Sequence, residues 1–253
     1  MPPVTHAFLD WDGPIPFAHR GGASDAPENT MPAFEDAVAL GFRHLETDVQ
    51  VTADGVLVAF HDDDLQRTCG RPGRISQLPW HEVREARVGG VAPIPLLDDL
   101  LGAWDDVRIN IDCKADAAER ALVSTLRRHR ALHRVCVGAF SDVRIARLRA
   151  ALGAELCTAL GPRHVALLKF GRLGRPKRLP GLVAQVPVRQ GRLTVTDERF
   201  VERAHALGIH VHVWTIDDPA EMERLLDLGV DGLMTDRPAV LREVLRRREH
   251  WRD

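Results

Sequence analysis

Four times in this chain an amphipathic stretch ends in Leu-Gly and an apolar run follows at once. The sites are Ala39-Leu40-Gly41-Phe42, Ala151-Leu152-Gly153-Ala154, Ala206-Leu207-Gly208-Ile209 and Asp227-Leu228-Gly229-Val230. Glycine just past a helix end adopts the left-handed conformation that closes the helix. Each site therefore reads as a helix handing the chain directly to a strand. Short apolar runs that fit strands lie at residues 15–19, 44–51, 107–113, 135–140, 155–160, 182–186, 210–215 and 232–235. Helix starts fall between them, at Asn29/Thr30 with Pro32, at Ser141, at Thr196/Asp197, and at Asp218 with Pro219. Each offers a capping oxygen and a first turn that tolerates proline or acid. Eight alternating units predict an α/β fold of the TIM type, a (β/α)8 barrel, rather than an open doubly wound sheet.

The length of 253 residues suits one such barrel, so residues 1–253 are expected to form a single domain. Two stretches interrupt the alternation. Residues 62–95, rich in Gly, Pro and Arg, read as a small excursion between strand 2 and helix 2. Residues 161–181 carry six Arg/Lys and no acid, and read as a second, irregular excursion after strand 5. With 34 Lys+Arg against 36 Asp+Glu, the chain has no strongly basic balance, and nucleic acid is not an expected partner. The four cysteines show neither a C-x-x-C nor a metal-like spacing and are read as small apolar fillers. No signal-like N-terminus and no run of about 18 apolar residues is present, so a soluble cytoplasmic protein without membrane insertion is expected. Among the basic residues only Lys114, Lys169 and Lys177 are lysines.

Active sites of such barrels lie at the C-terminal ends of the strands. Strand 1 leads into His19-Arg20-Gly21-Gly22. Strand 2 carries Glu46 and Asp48, two apart and so on one face. Asp54-Gly55 is a turn signal, and residues 56–60 run back to His61-Asp62. Strand 3 ends in Asn110, Asp112 and Lys114, strand 7 at Trp214, and strand 8 at Thr235-Asp236. Glu46, Asp48 and Asp112 offer hard oxygen ligands and no thiolate, a set that suits one divalent cation, Mg²⁺ or Ca²⁺. The alternative is that Glu46 and Asp48 point outward or meet arginines. His19 and His61 are then free to move protons. Arg20 and Lys114 add fixed positive charge, and Trp214 offers an apolar wall. Together these groups suit a phosphate ester. Asn29 and Thr30 are read as helix entry, Asp236 as the start of the loop into the last helix, and the ten remaining histidines as surface or core-edge residues.

The ordered set of motifs resembles the glycerophosphodiester phosphodiesterases. It runs from His19-Arg20-Gly21-Gly22 and Pro27-Glu28-Asn29-Thr30 through Glu46-Thr47-Asp48-Val49 and His61-Asp62 to Leu65-Gln66-Arg67-Thr68. It continues with Ile94-Pro95-Leu96-Leu97, Asn110-Ile111-Asp112-Cys113-Lys114, Val213-Trp214-Thr215 and the segment from Asp231 to Pro238. The resemblance implies a TIM barrel that hydrolyses a small-molecule glycerophosphodiester to glycerol 3-phosphate and an alcohol with a divalent cation. It implies that His19 and His61 are the catalytic pair, that Arg20 contacts phosphate, and that Glu46 and Asp48 bind metal. Asp112 stands where the family usually has a glutamate, and Lys114 matches the lysine that follows it. The shorter Asp112 leaves a gap of about 1.5 Å, one C–C bond, for a water or a metal shift to close. Asp217 stands where relatives often carry Asn. Homo-oligomerisation is left open. The competing readings are a lysophospholipase D or phospholipase-like enzyme, with Leu167, Leu168, Phe170 and Leu173 as its apolar surface, and a catalytically silent phospho-ligand binder. The presence of both histidines and three carboxylates argues against the silent binder.

Overall fold

The computed structural model describes residues 6–24, 26–171 and 179–251. Eight parallel strands form the frame: β1 (Ile15–Ala18), β2 (His44–Val51), β3 (Arg108–Cys113), β4 (Val135–Gly138), β5 (Cys157–Thr158), β6 (Val183–Pro187), β7 (His210–Trp214) and β8 (Gly232–Thr235). They pair in the order β5-β4-β3-β2-β1-β8-β7-β6. A single bridge, Ala159 to Val183, brings β5 against β6 and nearly closes the barrel. All eight strand segments expected from the sequence are present. Each is followed by a helix: α1 (Met31–Ala39), α2 (Leu97–Ala103), α3 (Ala118–Arg128), α4 (Asp142–Leu152), α5 (Pro162–Phe170), α6 (Glu198–Ala206), α7 (Pro219–Asp227) and α8 (Pro238–Arg247).

Local chemistry sets these boundaries. The side chains of Thr30, Ser141, Asp197 and Asp218 accept the backbone N–H three residues on and so start α1, α4, α6 and α7. The four Leu-Gly junctions all carry glycine at positive φ, as the opening pattern requires. The residues between 161 and 181 correct the expected irregular excursion. Pro162 sits in the first turn of α5 and fixes its φ for a helix, and Val165 to Phe170 continue it. Arg172, Leu173, Arg175, Lys177 and Arg178 lie outside the described residues.

Alternation along β2 sorts its side chains. Leu45 and Val49 join the large apolar layer between barrel and helices, with Ile109, Ile111, Leu122, Leu225 and Leu241. The intervening residues, His44, Glu46 and Asp48, therefore face the barrel interior. The interior is filled by Phe8, Ile15, Phe17, Cys136, Cys157, Val183 and Met234. The excursion after β2 has its own core of Val58, Phe60, Leu65, Ile75, Val83, Val88 and Ile94. Its first strand, Leu57–Ala59, pairs antiparallel with β2 and returns the chain to the barrel mouth at His61. Among the described residues no helix is long and apolar enough to cross a membrane.

Candidate active site

The chain leaves β1 through a single tight turn, His19–Gly21, in which Arg20 has φ 52°. Gly22 follows at φ 96°, and a Cβ there would stand 2.5 Å from Pro238 Cγ at the start of α8. The turn aims the Arg20 amide back into the barrel, where it donates to Glu46 Oε2 at 3.1 Å. The Arg20 guanidinium ion-pairs with Asp48 at 3.1 Å and with Glu28 at 2.9 Å. Parallel register sets Glu46 opposite Asn110 and Asp48 opposite Asp112. Lys114 Nζ lies between the two strands, 2.8 Å from Asp48 Oδ1 and 2.7 Å from Asp112 Oδ2.

One cavity of ≈ 410 Å³ collects these groups. His19, Arg20, Glu46, Asp48, His61, Asp112, Lys114 and Trp214 all line it, so every site residue expected from the sequence meets the same space. Glu46 and Asp48 point inward, which removes the outward alternative, although Asp48 does meet an arginine. The polar floor is extended by Asn110 and Gln185, whose amides are joined at 2.6 Å. The opposite wall is apolar and includes Leu160, Val165, Phe170, Leu193 and Trp214. Phe140 stands edge-on to Trp214 at 5.9 Å, and Lys114 Nζ sits 5.9 Å from the Phe140 ring.

Each histidine is held by a carboxylate. His19 Nδ1–H donates to Asp236 Oδ1 at 2.7 Å, and His61 Nδ1–H donates to Asp62 Oδ1 at 2.5 Å. Asp236 lies in the turn between β8 and α8, outside the cavity lining, and from there holds His19. Asp217 secures it, since Asp217 Oδ1 accepts from the Asp236 amide and the Thr235 hydroxyl. Arg67 clamps Asp62 and also reaches Glu28, so the support of His61 is linked through Glu28 to Arg20. Asn29, expected at the helix entry, is fully buried: its amide donates to Asp48 Oδ2 and accepts from Thr47. The sequence shows Asp236 only as the polar residue that ends strand 8, and it does not single out Gln185 or Phe140, because the partners of all three are distant in the chain.

Electrostatics follow from burial against pairing. Burial lowers the affinity of the His19 imidazole for a proton, but Glu46 and the bond to Asp236 outweigh it and hold His19 above its usual range. Burial, reinforced by Asp48, pushes the Glu46 carboxyl up to about 7. Asp48 is buried too, yet Lys114 and Arg20 hold it below the usual carboxylate range. Lys114 is held above its ordinary value by Asp48 and Asp112 despite burial. The hydrogen bond from Arg67, with that from His61, draws Asp62 down to about 2.

The carboxylates suit a hard divalent cation by donor type. Asp112 Oδ1 is buried and has no hydrogen-bond partner, which leaves it an acceptor open to a cation. Among the described residues no three His, Cys, Asp or Glu side chains stand together as a metal-binding group. Lys114 occupies the position between Asp48 and Asp112 and acts there as their counter-charge.

Residues 19–240 match the model of the glycerophosphoryl diester phosphodiesterase family. The chain is 40% identical over 254 residues to a probable glycerophosphodiester phosphodiesterase 2 of Mycobacterium tuberculosis, covering 98% of this chain and 96% of that protein. It is 28% identical to a lysophospholipase D of Rattus norvegicus, covering 90% and 85%. In fold it is similar to an Oleispira antarctica phosphodiesterase solved with the product sn-glycerol-3-phosphate, with TM-score 0.78, 22% identity, and coverage of 92% and 97%.

Proposed function

The chain belongs to the glycerophosphoryl diester phosphodiesterase family, a family of phosphoric diester hydrolases, and on that premise we propose that it hydrolyses glycerophosphodiesters to glycerol 3-phosphate and an alcohol. The observation that carries this reading is the single cavity in which two carboxylate-supported histidines face two cations and three acidic side chains. Arg20 and Lys114 place fixed positive charge where phosphoryl oxygens gain negative charge. His19 and His61 are the proton-moving pair: one takes the proton of the attacking hydroxyl and the other gives one to the leaving alkoxide. Asp236 and Asp62 fix which imidazole nitrogen carries hydrogen and leave each Nε2 as the working atom. Trp214 and Phe140 form a wall against which the alcohol packs. Glu46, Asp48 and Asp112 would hold a divalent cation, Mg²⁺ or Ca²⁺, which when bound supplies further positive charge at the phosphoryl group.

The apolar side of the cavity favours a second reading, hydrolysis of a lysophospholipid at its headgroup. Leu160, Val165, Phe170 and Leu193 provide a surface that a free glycerophosphodiester does not need. Both readings are tested by one matrix: purified protein, with and without chelator, against glycerophosphocholine and lysophosphatidylcholine, with glycerol 3-phosphate and lysophosphatidic acid as readouts. The expected result is chelator-sensitive release of glycerol 3-phosphate that Glu46→Gln abolishes while the unfolding temperature is kept. Undiminished activity in Glu46→Gln would remove the metal assignment, and turnover of neither substrate would leave a phospho-ligand binder.

A further inference from the structure

Surface helices usually turn their polar face to water. Helix α5 departs from this by leaving large apolar side chains exposed. Arg163, Ala166, Leu167 and Phe170, at spacing i, i+3, i+4, i+7, share one face and are all exposed, while Leu168 is its buried residue. Leu167 is 52% exposed and Phe170 64%. The start of α4 lies against this helix, because the Asp142 carboxylate accepts the Arg163 amide at 3.0 Å and contacts His164 at 2.7 Å. That contact brings Val143, 60% exposed, beside the apolar face. Phe140 and Leu193 extend it around the cavity mouth. The cavity accounts for Phe140, Phe170 and Leu193, which line it. It does not account for Val143 and Leu167, which lie outside the lining.

The exposed charged side chains of this face, Arg163, Arg189 and Arg192, are all basic, and its one acid, Asp142, is engaged by α5 and His164. From residue 161 to 196 the sequence contains eight Arg/Lys and no Asp or Glu. Lys169 is neutralised by Asp197 at 2.5 Å. Arg163, Arg189 and Arg192 are exposed, and among the described residues no carboxylate pairs with their guanidinium groups. Arg189 and Arg192 flank the short hairpin that carries Leu193 at the cavity rim. Contiguous exposed apolar surface marks an interaction site, and a rim of unneutralised arginines selects an anionic partner.

We propose that the face formed by α5, the start of α4 and the Arg189–Thr194 hairpin docks onto an anionic phospholipid bilayer, with the cavity opening toward the lipid. Val143, Leu167 and Phe170 enter the headgroup boundary, and Arg163, Arg189 and Arg192 meet lipid phosphates. A protein partner is less well matched, because exposed arginines on two separate elements, α5 and the hairpin, face outward without carboxylate partners. Docking does not depend on turnover.

The test is flotation of the full-length protein with vesicles of phosphatidylcholine alone and of phosphatidylcholine mixed with phosphatidylglycerol. The expected result is binding to the mixed vesicles that weakens with salt, and little binding to the neutral ones. Val143→Ser with Leu167→Ser should lose most of it. Arg163→Gln with Arg192→Gln should weaken it by about five-fold per arginine, the usual contribution of one basic side chain at an anionic surface. None of these four residues lines the cavity, so turnover of soluble glycerophosphocholine should persist in both variants. Absence of binding to mixed vesicles overturns the proposal, as does binding by either variant as strong as that of the wild type. A protein dimer broken by Leu167→Ser, with no vesicle binding, assigns the patch to a second copy instead and also overturns it. Failure here leaves the hydrolase reading intact, since that reading is judged by product release.

Discussion

Lys114 is a compact ammonium held between two carboxylates on neighbouring strands, at 2.8 and 2.7 Å. A guanidinium is planar and forked and cannot occupy the same point between Asp48 and Asp112. Lys114→Arg should therefore lower kcat by roughly ten-fold or more, an order typical for a misplaced charge at a reacting group. Lys169→Arg should change little, because its partner Asp197 is half-exposed and accepts either head group. Steady-state turnover of glycerophosphocholine by the two variants checks this, and equal activity in both would reduce Lys114 to a coincidence of composition. A second expectation concerns Asp236, which holds His19 at 2.7 Å. Asp236→Ala should lower kcat, by about ten- to a hundred-fold if His19 moves a proton, with KM nearly kept, since Asp236 is not among the cavity-lining residues. A fall in kcat/KM that came only from KM would contradict the positioning role. At this scale the sequence reveals residues whose chemistry is local. Glu46 and Asp48, two apart on a strand, must share a face, and an acid pair facing a barrel interior stands out. Asp236 meets a partner 217 positions away, and Gln185 one 75 away. Only the closing of the barrel brings those pairs together, so no spacing rule announces them.

Elements are legible where capping and periodicity agree. The eight strands are visible because their apolar runs are short and end at helix caps such as Ser141 and Asp218. Helix α5 escapes for a physical reason. Its exposed face is apolar and its neighbourhood basic, so the usual polar-out signature is missing. The excursion after β2 is visible as an interruption, but its private core from Val58 to Ile94 is not, because its members are spread across turns. The link between β1 and α1 gives a prediction at this scale. Gly22 combines φ 96° with a Cβ position 2.5 Å from Pro238 Cγ, whereas Gly55 has φ 85° with nothing within 4 Å. Gly22→Ala should cost about 1–3 kcal/mol more than Gly55→Ala, since only the first adds displacement of α8 to backbone strain. At roughly 2–4 °C per kcal/mol for a protein of this size, thermal unfolding resolves the difference. Equal shifts in the two variants would mean that α8 yields freely at that contact.

Two buried histidines connect the barrel interior to the stability of the whole molecule. His44 sits among Phe8, Trp11 and Phe17, with its Nε2 on the Phe8 carbonyl at 3.0 Å. His212 packs on Phe17, and neither of its ring nitrogens has a partner. Both are wholly buried, contrary to a surface or core-edge placement for every histidine outside the site. Burial, the largest cause, pulls His44 down to about 3, and burial with neighbouring imidazoles pulls His212 well below 6.5. The unfolded chain binds these protons below about 6.5 and the folded chain does not, so each histidine lowers stability as pH falls from there, His44 down to about 3. Glu46 works in the opposite sense: raised to about 7, it takes up its proton first in the folded state and adds stability as pH falls from 7 toward 4.5. His19, held above its usual range, likewise favours the folded state once protonated. The net slope is therefore a difference, and a single variant isolates one contribution. His212→Leu breaks no hydrogen bond and leaves the site groups in place. Its folding equilibrium should depend less steeply on pH than that of the wild type as pH falls below 6.5, by up to about tenfold per pH unit, the full weight of one proton. Denaturant unfolding of the two proteins across that window measures the gap. Parallel curves would mean that His212 is protonated in the folded barrel and that another group neutralises it there.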